Sequence, residues 1–94
     1  MLFVAVNTHP AAQCPLKTDE GKNMVKQLFS EENVKKAGVK IVGAYVSCPK
    51  DESAEHKGFF IVEGDSAQAV MSFFGPMKVE LREVVPFSEV AKTM

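Results

Sequence analysis

Two histidines and two cysteines are the side chains of this sequence that are best suited to metal or acid–base chemistry. His9 and Cys14 lie near the N-terminus, whereas Cys48 and His56 flank a polar stretch in the middle of the chain. Imidazole and thiolate groups suit Zn²⁺ or copper, and two of each could form a tetrahedral set. Their spacing contains no Cys-x₂₋₄-Cys or His-x₃₋₅-His pair, so only the fold could bring them together.

A β-hairpin between Val39 and Gly64 is the element around which the rest of the chain is organised. Residues 39–48 are rich in β-branched side chains, residues 49–55 are polar, and residues 58–63 form a second apolar run. A lone hairpin is at best marginally stable in water, so other elements must cover these two strands.

Helix start and stop signals occur on both sides of the hairpin. Thr18 is the expected N-cap of a first helical region, which either kinks or restarts at Ser30 and ends at Gly38. After the hairpin, Asp65 is the expected cap of another helix, which ends at Gly75. Two helical regions are therefore expected.

Two more strands complete the pattern. Residues 2–8 alternate in polarity as a first strand, and residues 78–85 form a last strand that ends at Pro86. The order β-α-β-β-α-β predicts a single α+β domain over residues 1–94 with a ferredoxin-like fold. Right-handed connections place both helical regions on one face of a four-stranded antiparallel sheet.

The face of the sheet that the helices leave uncovered indicates how the protein assembles. We expect it to carry Phe3 and Ala5, with Asn7 and His9 further along the same side of the first strand. A monomer rarely exposes a large apolar patch. The pattern therefore predicts a homodimer packed sheet to sheet, with a pocket between the two sheets.

The same topology predicts where the reactive side chains meet. The first and second strands run parallel, with the third strand antiparallel between them. The C-terminal ends of the first two strands and the start of the third therefore lie at one end of the sheet. His9, Cys14, Cys48 and His56 are all expected there. A metal site made by these four residues is one interpretation.

Two other functions remain open at this point. In the first, Asn7, His9, Tyr45 and His56 line a small-molecule pocket, and His9 acts as a general acid or base. In the second, the protein is a non-catalytic dimeric interaction module. The residues do not decide whether the protein is an enzyme.

Four segments of the chain resemble the dimeric α/β-barrel superfamily, and the likeness is greatest to small members akin to GYD-domain and YCII-related proteins. The segments are residues 1–4, 42–46, 56–63 and 80–86. The resemblance implies a homodimer in which two ferredoxin-like sheets form a barrel. The superfamily includes muconolactone isomerases, cofactor-free monooxygenases, haem enzymes and ligand binders. YCII-type members carry a catalytic His-Asp pair, whose Asp has no match here.

Composition restricts the classes of partner. The net charge of -1 gives no electrostatic footprint for nucleic acid or an anionic membrane. No apolar run approaches the roughly 20 residues of a membrane span, and the N-terminus lacks the positive region of a signal peptide. The sequence therefore predicts a cytoplasmic protein, in which the cysteines are free thiols or metal ligands.

Overall fold

The computed structural model describes residues 1–47, 55–75 and 77–94, and its centre is a four-stranded sheet. The strands are β1 (Leu2–Pro10), β2 (Lys40–Ser47), β3 (Glu55–Glu63) and β4 (Glu80–Val84). Their order across the sheet is β2-β3-β1-β4, and every neighbouring pair is antiparallel. The predicted α+β class and the four-stranded antiparallel sheet are confirmed.

Helices connect and follow the strands. They are α1 (Asp19–Leu28), α2 (Glu31–Ala37), α3 (Ala67–Phe74) and α4 (Phe87–Ala91). Two 3₁₀ turns, Ala11–Gln13 and Pro15–Lys17, lead from β1 into α1. Within the described residues, no helix has the length and apolar character needed to cross a membrane.

The break between α1 and α2 follows from capping chemistry. The Thr18 hydroxyl accepts a hydrogen bond from the first turn of α1, and the Ser30 hydroxyl does the same for α2. Gly38 ends α2 with a φ of 72°, a left-handed conformation that glycine adopts without steric cost. These three predictions are confirmed.

The N-cap of α3 differs from the sequence prediction. The Ser66 hydroxyl, and not Asp65, accepts the hydrogen bond from the backbone N–H of Ala69, at 3.1 Å. A hydroxyl and a carboxylate are comparable N-caps, so two adjacent candidates could not be ranked from residue type alone. The helix therefore begins one residue later than expected.

The helices cover the side of the sheet that carries Phe3 and Ala5, which contradicts the prediction that these residues lie on the uncovered face. Phe3 is 2% exposed and Ala5 is fully buried. They pair with Val62 and Phe60 of β3, and the cluster includes Phe74 of α3. Alternation separates the two sides of β1 but does not identify the covered one, because both sides carry apolar residues.

The middle of the other side of the sheet is also apolar, whereas its β4 edge carries Glu80 and Arg82. Val4 and Val6 of β1 are half-buried, and they pair with Ile61 and Phe59 of β3. Tyr45 of β2 lies opposite Phe59 on the same side, with 62% of its surface exposed. This open face, defined by these five apolar residues, has no covering element in the described part of the chain.

Candidate metal centre

The two histidines form a cross-strand pair. β3 begins at Glu55, before the predicted start at residue 58, and this extension places His56 directly opposite His9 of β1. Their ring centroids are 5.6 Å apart and the ring planes meet at 71°. His56 is only 7% exposed, so it is a buried strand residue and not a solvated loop residue.

Cys14 reaches the histidines from the segment that follows β1. It lies between the two 3₁₀ turns, where its N–H donates to Ala11 and its carbonyl accepts from Lys17. The cysteine is 7% exposed. Gly21 of α1 permits the helix to approach this segment closely, because a Cβ at residue 21 would overlap the carbonyl oxygen of Pro15.

One donor atom from each of His9, Cys14 and His56 lies within 4.8 Å of the other two. His56, which is distant in sequence, therefore meets His9 and Cys14 at one end of the sheet. The predicted convergence is confirmed for these three residues. Cys48, the fourth predicted ligand, lies outside the described residues.

A hydrogen-bond relay through Asn7 sets the orientation and tautomer of His9. The Asn7 side-chain NH₂ donates to the Lys78 carbonyl at 2.7 Å, so its oxygen is left to accept from His9 Nδ1 at 2.8 Å. His9 then carries its proton on Nδ1, and the lone pair on Nε2 is free. An outer hydrogen bond of this kind is typical of histidines that bind metals.

Two imidazole nitrogens at this site are buried without a hydrogen-bond partner among the described residues. They are Nε2 of His9 and Nδ1 of His56. Leaving a buried polar atom unsatisfied costs about 1–3 kcal/mol. A metal ion that takes these two nitrogens as ligands would satisfy both at once.

The protonation state of His9 suits this role. Burial lowers the pKa of His9 below its ordinary value, and the neighbouring His56 lowers this pKa further. A neutral imidazole is the form that coordinates a metal, and the lowered pKa favours that form near neutral pH.

The donor set narrows the choice of ion. No carboxylate joins the group within the described residues, so the site lacks the oxygen ligands that Mg²⁺ and Ca²⁺ require. Two imidazoles and a thiolate suit Zn²⁺ and copper. Ligand atoms around one zinc ion are about 3.5 Å apart, so donors that already lie within 4.8 Å of one another need only a small approach to bind it.

The surroundings of the site differ from the predicted pocket. Asn7 and His9 face the helices, and the space beside them lies between the sheet and α1, not between two sheets. The prediction that Tyr45 shares this wall is wrong, because its register with Phe59 turns it to the open face.

No family model matches the chain, and no curated protein or solved structure is detectably similar to it. The resemblance to the dimeric α/β-barrel superfamily therefore stays a prediction.

Two contributors to the site were not recognised as such in the sequence. Asn7 was expected only to line a pocket, although its position two residues before His9 on the same strand face puts the two side chains side by side. Gly21 carried no signal, because only the folded backbone brings α1 against Pro15.

Proposed function

We propose that the protein binds one soft or borderline metal ion, Zn²⁺ or copper, through His9, Cys14 and His56. The observation that carries this proposal is the convergence of three suitable donor residues, two of which have a buried imidazole nitrogen without a hydrogen-bond partner among the described residues. The Asn7 relay adds support, since it presents the lone pair of His9 Nε2 to the site.

A cysteine nucleophile activated by His9 is the competing function. Asn7, His9 and Cys14 have the residue types of a nucleophile, base and orienting group. A working pair of this kind places the thiol within hydrogen-bond reach of the imidazole, yet His9 Nε2 has no hydrogen-bond partner among the described residues. Donors held near one another but not bonded fit a metal better than a proton transfer.

We further propose that the chain adopts a ferredoxin-like fold and forms a homodimer through its open face. The strand order and the apolar side chains on that face support the assembly. A chain of 94 residues buries a limited fraction of its surface alone, so a second copy would supply additional apolar burial.

A competition titration tests the metal site. Metal-free protein is titrated with Zn²⁺, and separately with Cu⁺ under anaerobic reducing conditions, against a chromophoric chelator. We expect one ion per chain. His9→Ala, Cys14→Ser and His56→Ala should each weaken binding by at least about 100-fold, since each removes a direct ligand.

Thr8→Ala is the matched control for these variants. Thr8 is next to His9 in β1 but points to the other side of the sheet, where its hydroxyl accepts from Lys57. We expect the metal affinity of Thr8→Ala to equal that of the unmodified protein. Failure of the protein to compete with the chelator for either ion, or an equal loss of affinity in Thr8→Ala, contradicts the proposed site.

A further inference from the structure

The candidate metal centre borders a cavity of about 310 Å³. His9 and Cys14 form part of its wall, so an ion bound between them would face the cavity. Val25 of α1 and Phe29, the residue that follows this helix, line the cavity from the helix side, together with Met77. Three protein ligands leave the fourth position of a tetrahedral ion available to a molecule in this space.

On the strand side, small residues leave the space that the cavity occupies. Gly58 of β3 has no side chain, and Phe60 lies so near that a Cβ at residue 58 would be 2.9 Å from its ring. Ala44 of β2 lies opposite Phe60 and also lines the cavity. The space is therefore bounded mainly by hydrocarbon.

Charge and polarity define the molecule that fits. Zn²⁺ with one thiolate ligand carries a net charge of about +1, and an uncompensated charge in an apolar cavity is unfavourable. A second thiolate would neutralise the ion, and sulfur is a donor that zinc accepts readily. The rest of the molecule would contact hydrocarbon, which favours an apolar body.

We propose that the cavity binds a small apolar thiol, whose sulfur takes the fourth position on the zinc ion held by His9, Cys14 and His56. On binding, the thiol loses its proton to solvent, the zinc–sulfur bond forms and a coordinated water molecule leaves. No electron is transferred. This inference rests on the proposed metal site.

Cobalt spectroscopy of the full-length chain separates the two proposals. Co²⁺ replaces Zn²⁺, and its absorption reports the geometry of the ion and each cobalt–sulfur bond. We expect tetrahedral bands with sulfur-to-cobalt charge transfer from one thiolate. Adding 1-propanethiol should increase the charge-transfer absorption and release a proton.

The isosteric thiol 2-mercaptoethanol tests the apolar character of the cavity. It has the same donor and nearly the same size as 1-propanethiol, but a hydroxyl replaces the terminal methyl. We expect it to bind about tenfold more weakly, because the hydroxyl loses its hydrogen bonds to water.

Two leucine variants test the location. Ala44→Leu should fill the cavity and weaken 1-propanethiol binding at least tenfold while the cobalt spectrum stays unchanged. Ser47→Leu, on the other side of the same strand, should leave both properties unchanged.

Three results would overturn the cavity proposal. They are no spectral response to 1-propanethiol, equal affinity for the two thiols, and a cobalt spectrum that already contains two thiolates, as expected if Cys48 fills the fourth position. Absence of a tetrahedral cobalt spectrum would overturn the proposed metal site as well.

Discussion

At the scale of single residues, the site depends on which atom of His9 carries the proton. The hydrogen bond between Asn7 Oδ1 and His9 Nδ1 leaves Nε2 as the free donor, and the bond from Asn7 to the Lys78 carbonyl prevents the amide from turning around. A metal ligand held in one tautomer and orientation needs less rearrangement when the ion binds.

Replacing Asn7 tests this relay. We expect Asn7→Leu, which keeps a similar size but removes the acceptor, to weaken Zn²⁺ binding by about 10–100-fold. Asn7→Asp retains an acceptor for His9 and should bind Zn²⁺ more tightly than Asn7→Leu. Competition with a chelator measures both variants. Equal affinities for Asn7→Leu and the unmodified protein would show that the relay does not contribute.

The sequence could predict the end of the sheet where the reactive residues meet, but not the face on which they lie. The strand order alone places the end of β1 beside the start of β3, and so brings His9 near His56. The face depends on which side the helices cover. Phe3 and Ala5 on one side, and Val4 and Val6 on the other, are comparably apolar and give no means of choosing.

At the scale of elements, the approach of α1 to the segment after β1 positions Cys14. The buried Gly21 permits this approach, since any side chain there would meet Pro15. The position of Cys14 therefore depends on a backbone contact between α1 and Pro15, whereas the two histidines are positioned by β1 and β3.

A methyl group at residue 21 tests this contact. We expect Gly21→Ala to destabilise the metal-free protein by roughly 1–3 kcal/mol, because the backbone must shift to admit the Cβ. The shift should also weaken Zn²⁺ binding at least tenfold. Urea unfolding and chelator competition provide the two measurements.

Lys22→Ala serves as the comparison for Gly21→Ala, since this exposed position is the next residue in α1. Its stability and affinity should match the unmodified protein. Unchanged metal affinity in Gly21→Ala would mean that this contact does not position Cys14.

The start of α3 provides a second test at this scale. Ser66→Ala should lower the free energy of unfolding by about 1 kcal/mol, because it removes the hydroxyl that accepts from Ala69. Asp65→Ala should change this free energy by only a few tenths of a kcal/mol, because Asp65 precedes the cap. Urea denaturation of both variants decides between them, and a larger effect at Asp65 would assign the cap there.

At the scale of the whole molecule, the two sides of the sheet differ in burial and in the residues that they carry. The helix side contains the core and the candidate metal centre, whereas the open face carries apolar side chains that are partly exposed. A homodimer through the open face would leave the metal centre and its cavity outside the interface.

Sedimentation velocity tests the homodimer. We expect the unmodified protein to have twice the mass of one chain at micromolar concentration. Phe59→Lys should shift it to the monomer, because the substitution places a charge within the apolar open face. Phe87→Lys should remain dimeric, since Phe87 lies in α4 and is not a sheet residue. A monomeric unmodified protein would contradict the proposed interface.

X-ray absorption spectroscopy of the zinc-loaded protein tests the central claim most directly, because it counts the atoms bound to the ion. We expect one zinc per chain with two imidazole nitrogens at about 2.0–2.1 Å and one sulfur at about 2.3 Å, completed by a light atom from solvent. In Cys14→Ser the sulfur contribution should disappear. A zinc shell without sulfur, or one whose sulfur persists in Cys14→Ser, would contradict the account.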